Sequence, residues 1–197
     1  MKKLKEASTE EKIKEAARRV FTEKGYSGTR TRDIAQEAGI NLALLNYYFR
    51  SKQKLFEEIM LEKVIKLFGG LSTVFYNSDS SLEEKLDEVA ELYIDMLLKN
   101  PLLPTFVLSE LAKGHFVIEI PIKDIISSSV FAQQLKVRSP HMEPIQFIFS
   151  LLGLLVFPFI GKPAFKQFGL TDEKGFSELM RVRRKLIPVW AKAILDA

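Results

Sequence analysis

Apolar residues recur at spacings of three and four along almost the whole chain of 197 residues, and no convincing run alternates with a period of two. The first spacing lays a stripe along one face of an α-helix, whereas the second would mark a strand, so the pattern predicts an all-α fold. The first stripe is Ile13, Ala16, Ala17, Val20 and Phe21. It follows Ser8 and Glu11, spaced as a capping box, and Gly25 is its expected stop. A short second helix is expected after Thr29 or Thr31, burying Ile34 and Ala35, with Gly39 supplying the backbone freedom of a tight turn. Asn41 then caps a third helix over 42–49. Ser51 caps a fourth, which carries Leu55, Phe56, Ile59 and Met60 inward until Gly69 and Gly70 interrupt it. Polar and proline positions divide the remainder into candidate helices near 82–99, 102–114, 122–138, 142–160 and 172–195. About nine helices are expected in all, with Pro158 and Pro188 bending or ending theirs. There is no internal repeat, low-complexity tract or long linker.

Charge changes the picture at one end. Residues 1–55 hold 13 Lys and Arg against 7 Asp and Glu, a net of +6, while residues 56–197 hold 16 against 18, a net of −2, so the net charge of +4 hides a positive first quarter. A phosphate backbone is one destination for such charge and a solvated surface is the other. No cysteine is present, which removes disulfides, thiolate metal sites and cysteine nucleophiles and points to an intracellular, cytoplasmic protein. Residues 1–9 are polar and lack the apolar core of an export signal. Residues 145–161 carry no charge and reach the lower end of the roughly 17 to 25 residues that span a bilayer. Gln146, Ser150, Gly153 and Pro158 interrupt that run, so a helix buried in a protein interface is expected and a membrane partner is not.

The informative stretch is residues 31–52, TRDIAQEAGINLALLNYYFRSK. It reads as a helix-turn-helix: a short helix, a turn centred on Gly39 and a second short helix, each too short to stand without support from the first and fourth helices. Leu45 and Phe49 are four apart and should point inward together. Leu42, Ala43, Asn46 and Tyr47 then fall on the opposite face, where a recognition helix touches base edges. Asn46 carries the donor and acceptor pair that reads adenine, and Leu42 and Ala43 suit a thymine methyl group. Thr31, Arg32, Asn41, Tyr47, Tyr48, Arg50 and Lys52 supply donors for phosphates or bases. Simpler roles exist beside these: Thr31 as a helix cap, Tyr48 as a packed aromatic, Arg50 and Lys52 as solvated cations.

These residues carry a family resemblance. Gly25-Tyr26, Thr31-Arg32-Asp33-Ile34-Ala35, Ala38-Gly39-Ile40 and Tyr47-Tyr48-Phe49-Arg50-Ser51-Lys52 followed by Leu55 resemble the DNA-binding domain of TetR-family regulators, over about a quarter of the chain. The family usually has Tyr where this chain has Asn46, and often a small residue where it has Asn41 and Leu44. The resemblance implies a DNA-binding domain at 1–55 and a ligand-binding and dimerisation domain at 56–197. It implies a homodimer joined by the last two long helices, a double-stranded palindromic operator as partner, and release by a small apolar or aromatic ligand. It implies a repressor rather than an enzyme, without cofactor or metal.

Residues from Phe68 onward hold 12 of the 15 phenylalanines, which suits either an aromatic ligand pocket or an ordinary core, and no ligand-binding residue is assigned. The uncharged run 145–160 and a helix bearing Phe176, Leu179, Met180, Leu186, Ile187 and Trp190 are the dimer candidates. His115 and His141 lack the spacing of a metal pair, and Arg181, Arg183, Arg184 and Lys185 read as a solvated helix face. The alternative is a helical small-molecule-binding protein or enzyme without sequence-specific DNA binding, against which stands the lack of any nucleophile motif or phosphate-binding glycine loop.

Overall fold

The computed structural model describes residues 2–117, 124 and 127–196, with side chains from Thr9 onward. Its described residues form nine helices and no strand: α1 (Lys2–Gly28), α2 (Thr31–Glu37), α3 (Leu42–Tyr48), α4 (Lys52–Tyr76), α5 (Leu82–Lys99), α6 (Leu103–Ala112), α7 (Val130–Arg138), α8 (Pro144–Gln167) and α9 (Glu173–Leu195). They fall into two compact units, Met1–Ile65 with Phe106–Ile118, and Lys66–Thr105 with Glu119–Ala197. The first takes in part of α4 and the later segment at 106–118 as well as the motif-bearing residues.

The core of the first unit is built from the stripes expected of α1 and α4. Ile13, Ala17 and Phe21 of α1 and Leu55, Phe56 and Ile59 of α4 are all fully buried, as are Ile34 and Val107, and Leu45 and Phe106 are nearly so. Phe21 and Phe56 meet edge to face with ring centroids 5.0 Å apart, the arrangement that aligns a ring edge with a π face. In the second unit, α5 and α9 form the most extensive helix pair. One face of α5 is buried through Leu86, Val89, Ala90, Tyr93, Ile94 and Leu97, and Ser81 starts the helix with a capping box to Glu84. Phe75 stacks on Phe131 with centroids 4.2 Å apart. The Tyr93 hydroxyl donates to the Leu67 carbonyl, and burial pushes its pKa up.

Two expectations are corrected, for Ser8 and for Gly69 and Gly70, and those for Gly25 and the two prolines are met in part. Helix α1 is under way at Lys2, so Ser8 is interior and no cap; the preceding Lys, Leu and Glu residues are good helix formers and extend it. Gly25 does break the helical dihedrals (φ 67°, ψ 177°), but helix resumes to Gly28. Gly69 and Gly70 do not interrupt α4, because Leu67, Leu71, Val74 and Phe75 bury either side of them. Pro158 and Pro188 end neither of their helices; α8 runs on to Gln167 and α9 to Leu195. Of the helix expected at 122–138, Val130–Arg138 is helical, and positions 122, 123, 125 and 126 lie outside the described residues. Helix α8 is long and apolar enough to cross a membrane, yet it buries Phe147, Ile148, Leu151, Leu155 and Phe159 within its unit.

Because Ile94 is fully buried on the packed face of α5, Ile94→Ala is expected to lower unfolding free energy by about 2 to 5 kcal/mol, measured by chemical denaturation.

Candidate nucleic-acid interface

The motif is assembled by short-range hydrogen bonds. Arg30 is the extended N-cap of α2, and its amide donates to the Asp33 carboxylate at 3.0 Å. That bond, with the Lys24 ammonium 3.3 Å away, holds the Asp33 carboxyl below its usual range. Thr31 is therefore the first helical residue and not the cap. The buried threonine is Thr29, whose hydroxyl donates to the Gly25 carbonyl at 2.7 Å. Helix α2 ends on Gly39 at φ 65°, a left-handed conformation that suits glycine, and the Ile40 amide returns to the Ala35 carbonyl at 3.0 Å. Asn41 then caps α3 by accepting from the Leu44 amide at 2.8 Å, and Ser51 accepts from the Lys54 amide at 3.1 Å, as expected of both.

Burial sorts the faces of α3. Leu45 and Phe49 are turned into the core, while Ala43, Leu44, Asn46 and Tyr47 are exposed and Leu42 and Tyr48 half-buried. Tyr47 is 73% exposed, its ring edge-on to Tyr48 with centroids 5.3 Å apart. A seven-residue helix that presents a bare tyrosine, an amide and two aliphatic groups to water offers both hydrogen bonding and apolar contact to a base-pair edge.

Charges differ between α1 and the motif. On α1, Lys14 pairs with Glu10 and Glu58, Arg18 with Glu11 and Glu62, Arg19 with Glu15 and Glu37, and Lys24 with Asp33. The Arg18 guanidinium is held by the Glu62 carboxylate at 2.8 Å and 3.1 Å, and its pKa is raised chiefly by that bond. Among the described residues, Arg32, Arg50 and Lys54 have no carboxylate within ion-pair distance. Unneutralised cations therefore gather on α2, behind α3 and at the start of α4, where they can meet an anion.

Lys52 is placed differently from a solvated cation. Its ammonium donates to the carbonyls of Tyr26 and Thr29 at 3.0 Å each and lies 4.0 Å from the centroid of the Tyr26 ring. Two of its three protons are spent on the corner between α1 and α2, leaving one for an outside acceptor. Bound to the same residue, Tyr26, is a group that the sequence reading missed. Glu110, 1% exposed, accepts from the Tyr26 amide (3.2 Å), from Lys113 Nζ (2.9 Å) and from His115 Nδ1 (2.8 Å). Burial acts to raise its pKa, but these bonds outweigh it and hold the carboxyl below its usual value. The available signal was a lone charge inside the apolar stretch LPTFVLSELA. His115 also faces Ser27 at 3.3 Å and the Tyr26 ring at 5.0 Å, a structural role.

The later basic cluster does not form one solvated face. Arg184 pairs with Asp95 at 2.9 Å, Arg181 lies 3.5 Å from Glu178, and Arg183 donates to the Leu154 carbonyl at 2.9 Å with its guanidinium over Trp190.

Residues 13–59 match the family model described as bacterial regulatory proteins, tetR family. The chain is 29% identical to the protein of Bacillus subtilis named "Probable HTH-type transcriptional regulator YttP", covering 78% of each. It is 32% identical to the HTH-type transcriptional repressor KstR2 of Mycolicibacterium smegmatis, over 40% of this chain and 38% of that one. In fold it is similar to a TetR-family transcription regulator from Marinobacter aquaeolei (TM-score 0.65, 19% identity, 96% of this chain and 97% of that one). It is also similar to PfmR of Thermus thermophilus (TM-score 0.63, 20% identity, 89% and 96%).

Because the Glu110 carboxyl titrates below its unfolded value, its contribution to stability is complete above the ordinary carboxylate range and is lost as pH falls through its lowered value. Glu110→Gln is expected to be less stable at neutral pH and to lose less stability on acidification, read from denaturation midpoints between pH 6 and 3.

Proposed function

Because the chain is a DNA-binding transcriptional regulator of the TetR family, we propose that it acts as a homodimeric repressor that places two α3 helices in successive major grooves of a palindromic operator. The observation that carries this reading is the outward face of α3, Ala43, Asn46 and Tyr47, braced from behind by buried Leu45 and Phe49. In it, Asn46 reads a base edge, Leu42 and Ala43 contact apolar base groups, and Thr31, Arg32, Asn41, Tyr47, Tyr48 and Arg50 hold phosphates and sugars. Lys52 offers its remaining proton to the backbone while its other two fix the α1–α2 corner. The reading assigns DNA binding to residues 1–55 and ligand binding and dimerisation to 56–197.

The dimer is supported by two apolar stripes that the second unit leaves bare. On α8, Ile145, Phe149, Phe157 and Ile160 are exposed along one line, with Gly153 between them and open space above it. On α9, Leu179, Val182, Leu186 and Val189 do the same. Between the two helices lies an open cleft of about 470 Å³ lined by Phe157, Phe165, Leu170, Leu179, Leu186 and Trp190 among others. A second copy laying its own α8 and α9 across this face forms a four-helix interface and removes that surface from water. The half-sites then lie about 34 to 36 Å apart or a multiple of it.

Release by a small, largely apolar ligand completes the reading, supported by the phenylalanine content beyond residue 68. A ligand that prefers a dimer with the wrong helix separation lowers operator affinity, and DNA lowers ligand affinity by the same factor. Helix α4, unbroken from Lys52 to Tyr76, is the lever.

Selection of bound duplexes from a random-sequence pool tests the central claim: recovery of a palindrome with salt-dependent affinity supports it, and failure to enrich any sequence overturns it. Asn46→Ala is expected to weaken binding to the recovered duplex by about 1 to 3 kcal/mol and relax preference at one position. Leu186→Glu is expected to give monomers by sedimentation and to weaken operator binding tenfold or more; an unchanged dimer would remove this face from the assembly.

A further inference from the structure

The corner between α1 and α2 is unusual in being held by a residue far away in sequence. At Gly25 the backbone leaves helical dihedrals, so the Tyr26 amide is cut off from the ordinary helical acceptor four residues back. Its partner is the buried carboxylate of Glu110. The fit is close: a Cβ on Gly25 would stand 2.9 Å from Glu110 Oε1, so glycine leaves the space that the carboxylate uses. Lys52 grips the carbonyls of Tyr26 and Thr29, and Thr29 ties its hydroxyl back to Gly25. The Tyr26 ring lies between Phe56, at 4.7 Å, and His115, at 5.0 Å. Residues 25–30, which deliver the chain into the N-cap of α2, are thus fixed by a carboxylate on one amide and an ammonium on two carbonyls.

We propose that Glu110 is a positioning residue for DNA recognition, setting the α1–α2 corner on which α2 and α3 dock, although it lies outside the helix-turn-helix. The geometry gives it three duties at once: it satisfies the amide freed by the Gly25 break, neutralises Lys113, and orients His115 toward Ser27. Replacement by glutamine keeps the shape but turns an NH2 group toward donors that the carboxylate accepts, so the corner loses one anchor while the Phe21–Phe56 core stays intact. A shift of an ångström at the corner is carried into α3 because α2 and α3 are too short to adjust independently. Base-edge contacts are lost first and general attraction to phosphate survives, since the cations of α2 and α4 remain.

This inference rests on the DNA-binding reading, and the experiment keeps the two apart. Wild type, Glu110→Gln and His115→Asn are titrated against the duplex recovered by the selection above and against a scrambled duplex of equal length, over a series of salt concentrations. The folded fraction of each protein is followed by circular dichroism at the assay temperature. Glu110→Gln, fully folded, is expected to bind the selected duplex at least tenfold more weakly, to bind the scrambled duplex within twofold of wild type, and to keep the wild-type salt dependence on both, because the phosphate contacts remain. His115→Asn, at the half-exposed end of the cluster, is expected to shift the same ratio by about threefold; should Glu110→Gln not fold, this variant decides the matter. Equal weakening on both duplexes, or a loss that tracks the folded fraction, would show a purely structural role and overturn the proposal. So would a selected-to-scrambled ratio unchanged from wild type in the folded variant. Wild type that distinguishes no duplex would overturn the DNA-binding reading itself.

Discussion

Helices α2 and α3 are seven residues each, and helices of that length are not stable by themselves in water because nucleation costs more than so few hydrogen bonds return. Their existence depends on a surface supplied by other elements. That surface is the aromatic and aliphatic core of the first unit, in which Phe56 of α4 touches Phe21 and Tyr26 of α1 and Phe106 of α6. Onto it α2 lays Ile34 and Ala35, and α3 lays Leu45 and Phe49. Each short helix spends its apolar side on this contact, which leaves the other side of α3 free to carry groups chosen for a partner.

The polar arrangement of the unit follows the same division. On α1, Lys14, Arg18, Arg19 and Lys24 are paired with carboxylates of α1, α2 and α4, and exposed pairs of this kind contribute little to stability. What they do accomplish is electrostatic: they neutralise those four cations, whereas among the described residues Arg32, Arg50 and Lys54 have no carboxylate within ion-pair distance. Where precise placement is needed the ions are less exposed. Glu110 and Lys52 hold opposite polar groups of the same short segment, and a buried carboxylate with three donors gives direction as well as attraction.

In the second unit, similar residues do opposite work on the two sides of one helix. Phe147, Leu151, Leu155 and Phe159 of α8 fill the core, while Phe149 and Phe157 of the same helix stand in water. Composition alone reads α8 as uniformly apolar, compatible with a membrane; the division into a buried and a bare side is what points to a second copy of the chain. The unbroken course of α8 through Pro158, and of α9 through Pro188, keeps both exposed stripes continuous.

The sequence by itself determined the helical class, the helix-turn-helix, its caps at Asn41 and Ser51, and the inward turn of Leu45 and Phe49, because each is a matter of spacing within a few residues. It could not decide whether Gly25, Gly69 or Pro158 ends a helix, since packing on either side overrides the local cost: buried Leu67 and Leu71 carry α4 past its glycines. It could not separate Lys52, drawn inward onto two carbonyls, from Arg32 and Arg50, which stay outward, because all three are cations in a basic stretch. Nor could it connect Glu110 to Tyr26, 84 positions apart. That pairing exists only once the chain has folded, when a helix break leaves an amide that the nearest turn cannot satisfy and a distant carboxylate has been brought beside it.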